Sequence, residues 1–285
     1  MRNFFLLLLL VTGLTAQAAT LDDAMAAYHD REYRDALPLL ETAAKSEPEN
    51  RDVLFALAVT RFRTSDYKGA DAAIDKLLEM NPKDVEVEYL RGIVNIAQVG
   101  IVSIFRKMGV AKAALASWQK AAELDPTHAP SVYSVFAYYA TAPGIVGGDL
   151  EKAKSMLDDL SSLSPGFGEL ARAAVANREE RFDEAEAHFK KAVELMPDNS
   201  TPPFYLAQFY YQRERFQDAI TWLDRFDAAP HKWEDPDRGT ILYFRGTALV
   251  KLGDREAGRE NLNLALAEDP NDRMKDMIRD EIKKL

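Results

Sequence analysis

The chain has 285 residues, with 46 Asp and Glu against 36 Lys and Arg and a formal charge of −10. That excess of negative charge repels nucleic acid and anionic lipid, so neither is expected as a direct partner. Cysteine is absent, which excludes disulfide staples, thiol nucleophiles and cysteine-ligated metals, and leaves packing to hold the fold.

At the N-terminus, Arg2 supplies a short positive start, residues Phe4 to Leu14 form an apolar run, and Ala16-Gln17-Ala18 fits a small-x-small cleavage site. This pattern predicts a secretory signal peptide over residues 1–18, cut between Ala18 and Ala19, with retention as an uncleaved anchor the alternative. A helix of that length reaches roughly 16 Å, short of the hydrocarbon core, so no integral membrane span is expected after cleavage. The expected location is exported, periplasmic or secreted.

From there on, one signature recurs. A small residue is followed by a bulky apolar residue four places on, a small or apolar residue seven places on and proline twelve places on. It reads Ala36-Leu40-Ala43-Pro48, Ala70-Ile74-Leu77-Pro82, Ala114-Trp118-Ala121-Pro126, Ala153-Leu157-Leu160-Pro165 and Ala185-Phe189-Ala192-Pro197. A sixth copy is Ala219-Leu223-Phe226, with Pro230 one place early, and the seventh is Gly258-Leu262-Ala265-Pro270. Spacings of four and seven put three residues on one helical stripe, and the proline ends the unit. A further small residue precedes the signature, usually by twelve places: Ala24, Ala58, Gly92, Ala173, Ala207 and Gly246. Each unit is therefore two helices that approach closely at small residues, with Tyr33, Tyr67, Phe182 and Phe216 placed to plug the turn between them.

These residues, at a base period of 34 from Pro48 to Pro82, resemble the tetratricopeptide repeat. The resemblance implies an all-α, right-handed solenoid of about seven helix-turn-helix units over residues 19–270. It also implies a scaffold that binds a protein or peptide; no catalysis and no cofactor is expected, and no homo-oligomer is predicted. The tryptophan common early in the family's first helix is absent here. By family analogy, the groove-lining positions of the first helices carry Tyr28, Phe55, Phe62, Tyr89, Phe204, Tyr211 and Tyr243. The same positions hold Arg63, Arg178 and Lys251, which do not form the family's carboxylate clamp.

Two units are longer than the base period, and both extra segments fall between a first and a second helix, near residues 99–108 and 142–148. Enlarged turns of one type belong on one edge and should be neighbours. The first is apolar for a loop. Either the helices are longer there and the extra residues cover each other, or Ile101, Ile104, Phe105, Ile145 and Val146 form a docking edge. The segment IFRKMGVAKAALASWQKAAELDP followed by APGIVGGDLEKAK is similar to an exported bacterial subset of the family with paired insertions, which implies fold and export rather than a particular activity.

Chemistry is not indicated. Gly144-Ile145-Val146-Gly147-Gly148 lacks the lysine and hydroxyl that a phosphate loop needs, and Asp149 sits where a helix N-cap would. His29, His128, His188 and His231 are scattered without metal-ligand spacing, and His188 reads as a surface residue. Asp158-Asp159 and Glu179-Glu180 read as solvated helix faces. Residues 231–239 lengthen the last connection, where Trp233 is placed to latch the final unit. Residues 271–285 form one amphipathic capping helix. Two functional readings follow: a peptide-binding adaptor of the bacterial envelope, or a structural subunit docked through the insertion edge.

Overall fold

The computed structural model describes residues 21–268 and 271–285; the cleavage site at Ala18 and Ala19, and Pro270, lie outside them. Those residues divide into two compact bodies, one ending at Val94 and one starting at Asn95. No strand occurs among the described residues.

The first body holds α1 (21–29), α2 (Tyr33–Ser46), α3 (Arg51–Arg63) and α4 (Tyr67–Met80), with α5 (Val85–Gln98) running through the division. The second begins with α6 (Ile104–Leu124), α7 (Ala129–Thr141) and a 3-10 turn, η1 (Gly144–Val146). It continues through α8 (Leu150–Ser155), α9 (Leu157–Leu163), α10 (Pro165–Arg178), α11 (Phe182–Leu195), α12 (Thr201–Gln212) and α13 (Phe216–Ala228). Finally come α14 (Arg238–Lys251), α15 (Arg255–Ala267) and α16 (Asp272–Lys283). Consecutive helices pack as antiparallel pairs, α3 on α4, α10 on α11, α12 on α13 and α14 on α15.

Helix boundaries follow local chemistry. Asn50, Asp66, Asp149, Asp237, Asp254 and Asn271 each accept a backbone N–H in the first turn of the helix they open, satisfying donors that would otherwise be orphaned. The three helical members of each signature are buried, while the described prolines that close it are exposed, and each bulky helical member is worth roughly 1.5–3 kcal/mol of burial. The exception is Leu157, half-buried at the break between α8 and α9. A single second helix is expected in that unit, yet the chain breaks at Met156, just after Ser155, whose hydroxyl donates to the Lys152 carbonyl. Side-chain hydrogen bonds to a preceding carbonyl bend helices in this way.

The small residues meet as their spacing predicts. A Cβ on Gly246 would lie 3.1 Å from the Gly258 carbonyl oxygen, and a Cβ on Gly258 would lie 3.0 Å from the Gly246 carbonyl oxygen. Backbone meets backbone there. The turn between the two helices also has a fixed device. Arg31, Ser65, Glu180, Glu214 and Gly253, each five places before a signature residue, all have φ between +58° and +94°. At the end of the chain, Ile278 of α16 is fully buried against Leu242, Leu262 and Ala265, with Met274, Ile282 and Leu285 packed around it.

Candidate functional site

In the second body, aromatic side chains from the first helices of four successive repeats come together. Tyr133 on α7 has its ring 5.2 Å from that of Phe167 on α10 and 6.1 Å from that of Tyr205 on α12. Phe204, next to Tyr205, lies 6.4 Å from Phe244 on α14. Phe244 in turn sits 5.2 Å from Tyr211 and 5.9 Å from Tyr243. Tyr133 is buried, while Phe167, Phe204, Tyr205, Tyr211, Tyr243 and Phe244 are half-buried. Rings tilted or edge-on at these separations gain from their quadrupoles as well as from burial.

The phenol groups are tuned by this packing. Burial pushes Tyr205 above the ordinary tyrosine value, opposed by a hydrogen bond with Tyr133. Burial also raises Tyr243, helped by the neighbouring Tyr211 and Glu281. Tyr211 donates to Thr247 Oγ1 at 2.9 Å, and Thr247 donates to the Tyr243 carbonyl at 2.9 Å. With their values raised, Tyr205 and Tyr243 stay neutral at physiological pH, and the tyrosine rings of the array act as apolar plates carrying hydroxyl tips.

Of the seven residues singled out from the sequence, Phe204, Tyr211 and Tyr243 belong to this array. In the first body, Tyr28, Phe55 and Tyr89 are buried and Phe62 is half-buried. Tyr28 stacks edge-on against Tyr33 and Phe62 against Tyr67, as Tyr211 does against Phe216, always five places apart. These three pairs pin the turn between the two helices of a repeat. Sequence reasoning passed over Tyr133, Phe167, Tyr205 and Phe244. A signal existed for Tyr133: it stands in the same place relative to Pro126 as Phe55 does to Pro48 and Tyr89 to Pro82.

The insertion residues are placed differently. Ile104, Phe105 and Met108 lie in the first turns of α6, 71%, 92% and 45% exposed, and Ile101 in the preceding turn is 47% exposed. The helix is indeed longer, 21 residues, but its extra turns leave these side chains uncovered. Ile145 is 80% exposed, and Val146 half-buried. The second turn is tightly made: Tyr138 donates to the Val146 carbonyl at 2.7 Å, and Gly147 takes φ 103°. A Cβ on Gly148 would strike the Ala142 carbonyl. That turn packs against α6, the helix whose first turns hold the other insertion. Asp149 caps α8 by accepting from the Lys152 N–H at 3.0 Å.

Among the described residues, two acidic side chains are buried. Glu169 on α10 has Oε2 2.5 Å from His188 Nδ1 and Oε1 3.2 Å from Lys191 Nζ. Burial alone would raise its carboxyl, but the hydrogen bonds from His188 and Lys191 outweigh it and hold the group below the usual carboxylate range. His188 is therefore tied to a buried acid rather than free on the surface. Asp235 accepts from Ser200 Oγ and from the Lys232 N–H, both at 2.6 Å, so this acid fastens the long connection in which Trp233 lies. No cluster of His, Asp and Glu able to hold a metal occurs among the described residues, and no helix there is long and apolar enough to cross a membrane.

Comparison with known proteins places these repeats. Two family models described as tetratricopeptide repeat match, one over residues 27–93 and 176–232 and the other over residues 239–272, together more than half of the chain. The stretch from 94 to 175, left unmatched between the two segments of the first model, holds both insertions. No protein of curated function matches. Among solved structures, a tetratricopeptide repeat protein from Parabacteroides merdae is 15% identical with a TM-score of 0.53, covering 94% of this chain and 98% of that one. A thermophilic TPR protein in Thermus thermophilus is 23% identical with a TM-score of 0.55, covering 68% of this chain and 98% of its own. At these identities the likeness is one of fold.

Proposed function

This chain belongs to the tetratricopeptide repeat family, and on that premise we propose that it is a non-catalytic adaptor that binds a protein or peptide along its first helices. The observation that carries the reading is the array of Phe167, Tyr205, Phe204, Phe244, Tyr211 and Tyr243, half-buried and continuous across adjacent repeats. Rigid rings with polar tips bury large area at little entropic cost and suit the apolar side chains and backbone groups of a peptide.

Phe167→Ala and Tyr243→Ala should each weaken capture of the partner by about 1–2 kcal/mol, measured by titration once crosslinking in the exported fraction has identified it. Tyr211→Ala should weaken capture and also lower the melting temperature, because its ring braces Phe216. The second reading, a structural subunit held by its insertion edge, is favoured by the exposure of Ile104, Phe105 and Ile145. It predicts the opposite pattern: capture lost in Ile104→Asp and retained in Phe167→Ala.

Export forms part of the same proposal. It rests on Arg2, the apolar run and Ala16-Gln17-Ala18. N-terminal sequencing of the native protein should read from Ala19, and a sequence starting at Met1 would overturn it.

A further inference from the structure

The two insertions that disturb the repeat period also disturb the charge pattern. Across the chain roughly one residue in six is acidic, 46 of 285. Yet the 28 residues from Asn95 to Ala122 contain no Asp or Glu and include Arg106, Lys107, Lys112 and Lys120. The segment from Pro126 to Gly148, which ends in the second insertion, is free of acids too. Arg106, Lys107 and Lys112 make no ion pair among the described residues. Arg273 of α16 adds a cation, donating to the Gly100 carbonyl at 3.3 Å, while its neighbour Asp272 pairs with Lys275.

We propose that this edge, with Phe105, Ile104, Ile145 and Met108 as wedges and Arg106, Lys107 and Lys112 as anchors, docks the protein on an anionic lipid surface. The net charge of the whole chain opposes such binding, but electrostatics at a surface is local. Glu123 and Asp125, the acids at the other end of α6, lie roughly 27 Å from Phe105 along the helix axis. That is well beyond a Debye length of about 8 Å at physiological salt. The first turn of α6 carries no acidic residue and Ser103 makes no side-chain cap, so the positive end of the helix dipole adds to the same field. Asp149 borders the second turn and directs its charge to the N-terminus of α8.

Shape argues for lipid over a protein partner. Phe105 at 92%, Ile145 at 80% and Ile104 at 71% exposure stand on the start of α6 and on η1, not in a packed recess, whereas protein hot spots sit in packed pockets ringed by other contacts. Protruding apolar side chains beside long cationic stems that keep their heads in water match the boundary between headgroups and acyl chains. The closed turn under Ile145 holds its side chain outward.

The absence of native cysteine makes one experiment direct. Ser103→Cys is labelled with an environment-sensitive fluorophore in the full chain, and a second label is placed at Asn263 on α15 as reference. Vesicles are phosphatidylglycerol mixed with phosphatidylethanolamine, or phosphatidylcholine alone. The label at 103 should shift to the blue and be quenched by lipid-borne nitroxide on the anionic vesicles only, and the label at 263 should not. A tether through the N-terminal apolar segment would not bury residue 103, so attachment there does not mimic the result. The added variants Phe105→Asp and Arg106→Glu/Lys107→Glu should each weaken the response at least tenfold, the second also flattening its salt dependence. Phe105 is too exposed for its replacement to disturb folding, and an unchanged melt confirms that. No response on anionic vesicles, or an equal response on phosphatidylcholine that survives charge reversal, overturns the proposal. Lipid-free self-association abolished by Phe105→Asp assigns the edge to a second copy and overturns it as well.

Discussion

Ala185→Phe lowers the stability of the protein by about 1–3 kcal/mol, read as a fall in the urea midpoint at unchanged slope. Ala185 is fully buried on α11, which packs between α10 and α12. It holds the place in its repeat that Gly258 holds in the last one, where the opposing backbone oxygen stands 3.0 Å from a notional Cβ. A methyl group just fits at such a crossing, and a phenyl ring does not. The helices must move apart, and α11 touches helices on both sides, so the strain reaches two interfaces. Substitution of exposed Glu184 by Phe supplies the comparison, since it adds the same ring without meeting a neighbouring helix. Equal stability of the two variants would show that this position is not a close crossing.

Glu169→Ala costs about 2–3 kcal/mol at pH 7, and much less near pH 3. Two cationic side chains, Lys191 and Arg172, and the His188 ring converge on this buried carboxylate at 3.2, 3.5 and 2.5 Å. Hydrogen bonds to a charged group are worth more than neutral ones, and removing one partner of a buried pair leaves the rest uncompensated. The sign follows from the lowered carboxyl. A group whose folded value lies below its unfolded value of 4.5 contributes fully above that pH, and the contribution is lost as pH falls through the folded value. Wild type should therefore lose stability more steeply on acidification than the variant. Urea melts at both pH values check this, and an equal difference at pH 7 and pH 3 would show that the charge at Glu169 is not what stabilises.

The sequence made the helix pairs legible because their physics is periodic. The close crossing at Gly246 and Gly258, the buried stripe of Ala70, Ile74 and Leu77, and the aromatic plugs of the turns all repeat at fixed spacing. What escaped was aperiodic. The insertion before α8 shifts the fourth repeat's apparent register, which hid Tyr133 among other apolar residues of α7. Phe167 falls in the first turn of α10, where Pro165 opens a helix at once instead of marking a gap, so counting from the signature passed it by. Which rings of four helices touch depends on helix-to-helix distances, and no single-chain spacing encodes those. Tyr28, Phe62 and Tyr211 look alike in the pattern and pack alike on their turns, yet of the three only Tyr211 lies in the array. The insertion edge was visible as a broken period, whereas its exposure needed coordinates.

The left-handed residue in the inter-helix turn has an architectural consequence. Arg31, Ser65, Glu180 and Glu214 share its backbone angle but no side-chain chemistry, so the bend itself depends on geometry at one residue, and the aromatic pairs that flank it fasten the turn from either side. The pairing of the two helices is fixed elsewhere, at the small-residue crossing. A joint decoupled in this way from what it joins can be lengthened without disturbing either arm, and both expansions of this chain occur there. The repeat thus separates a weight-carrying seam from a permissive hinge loop, and new surface chemistry can be grafted at the second while the first stays untouched.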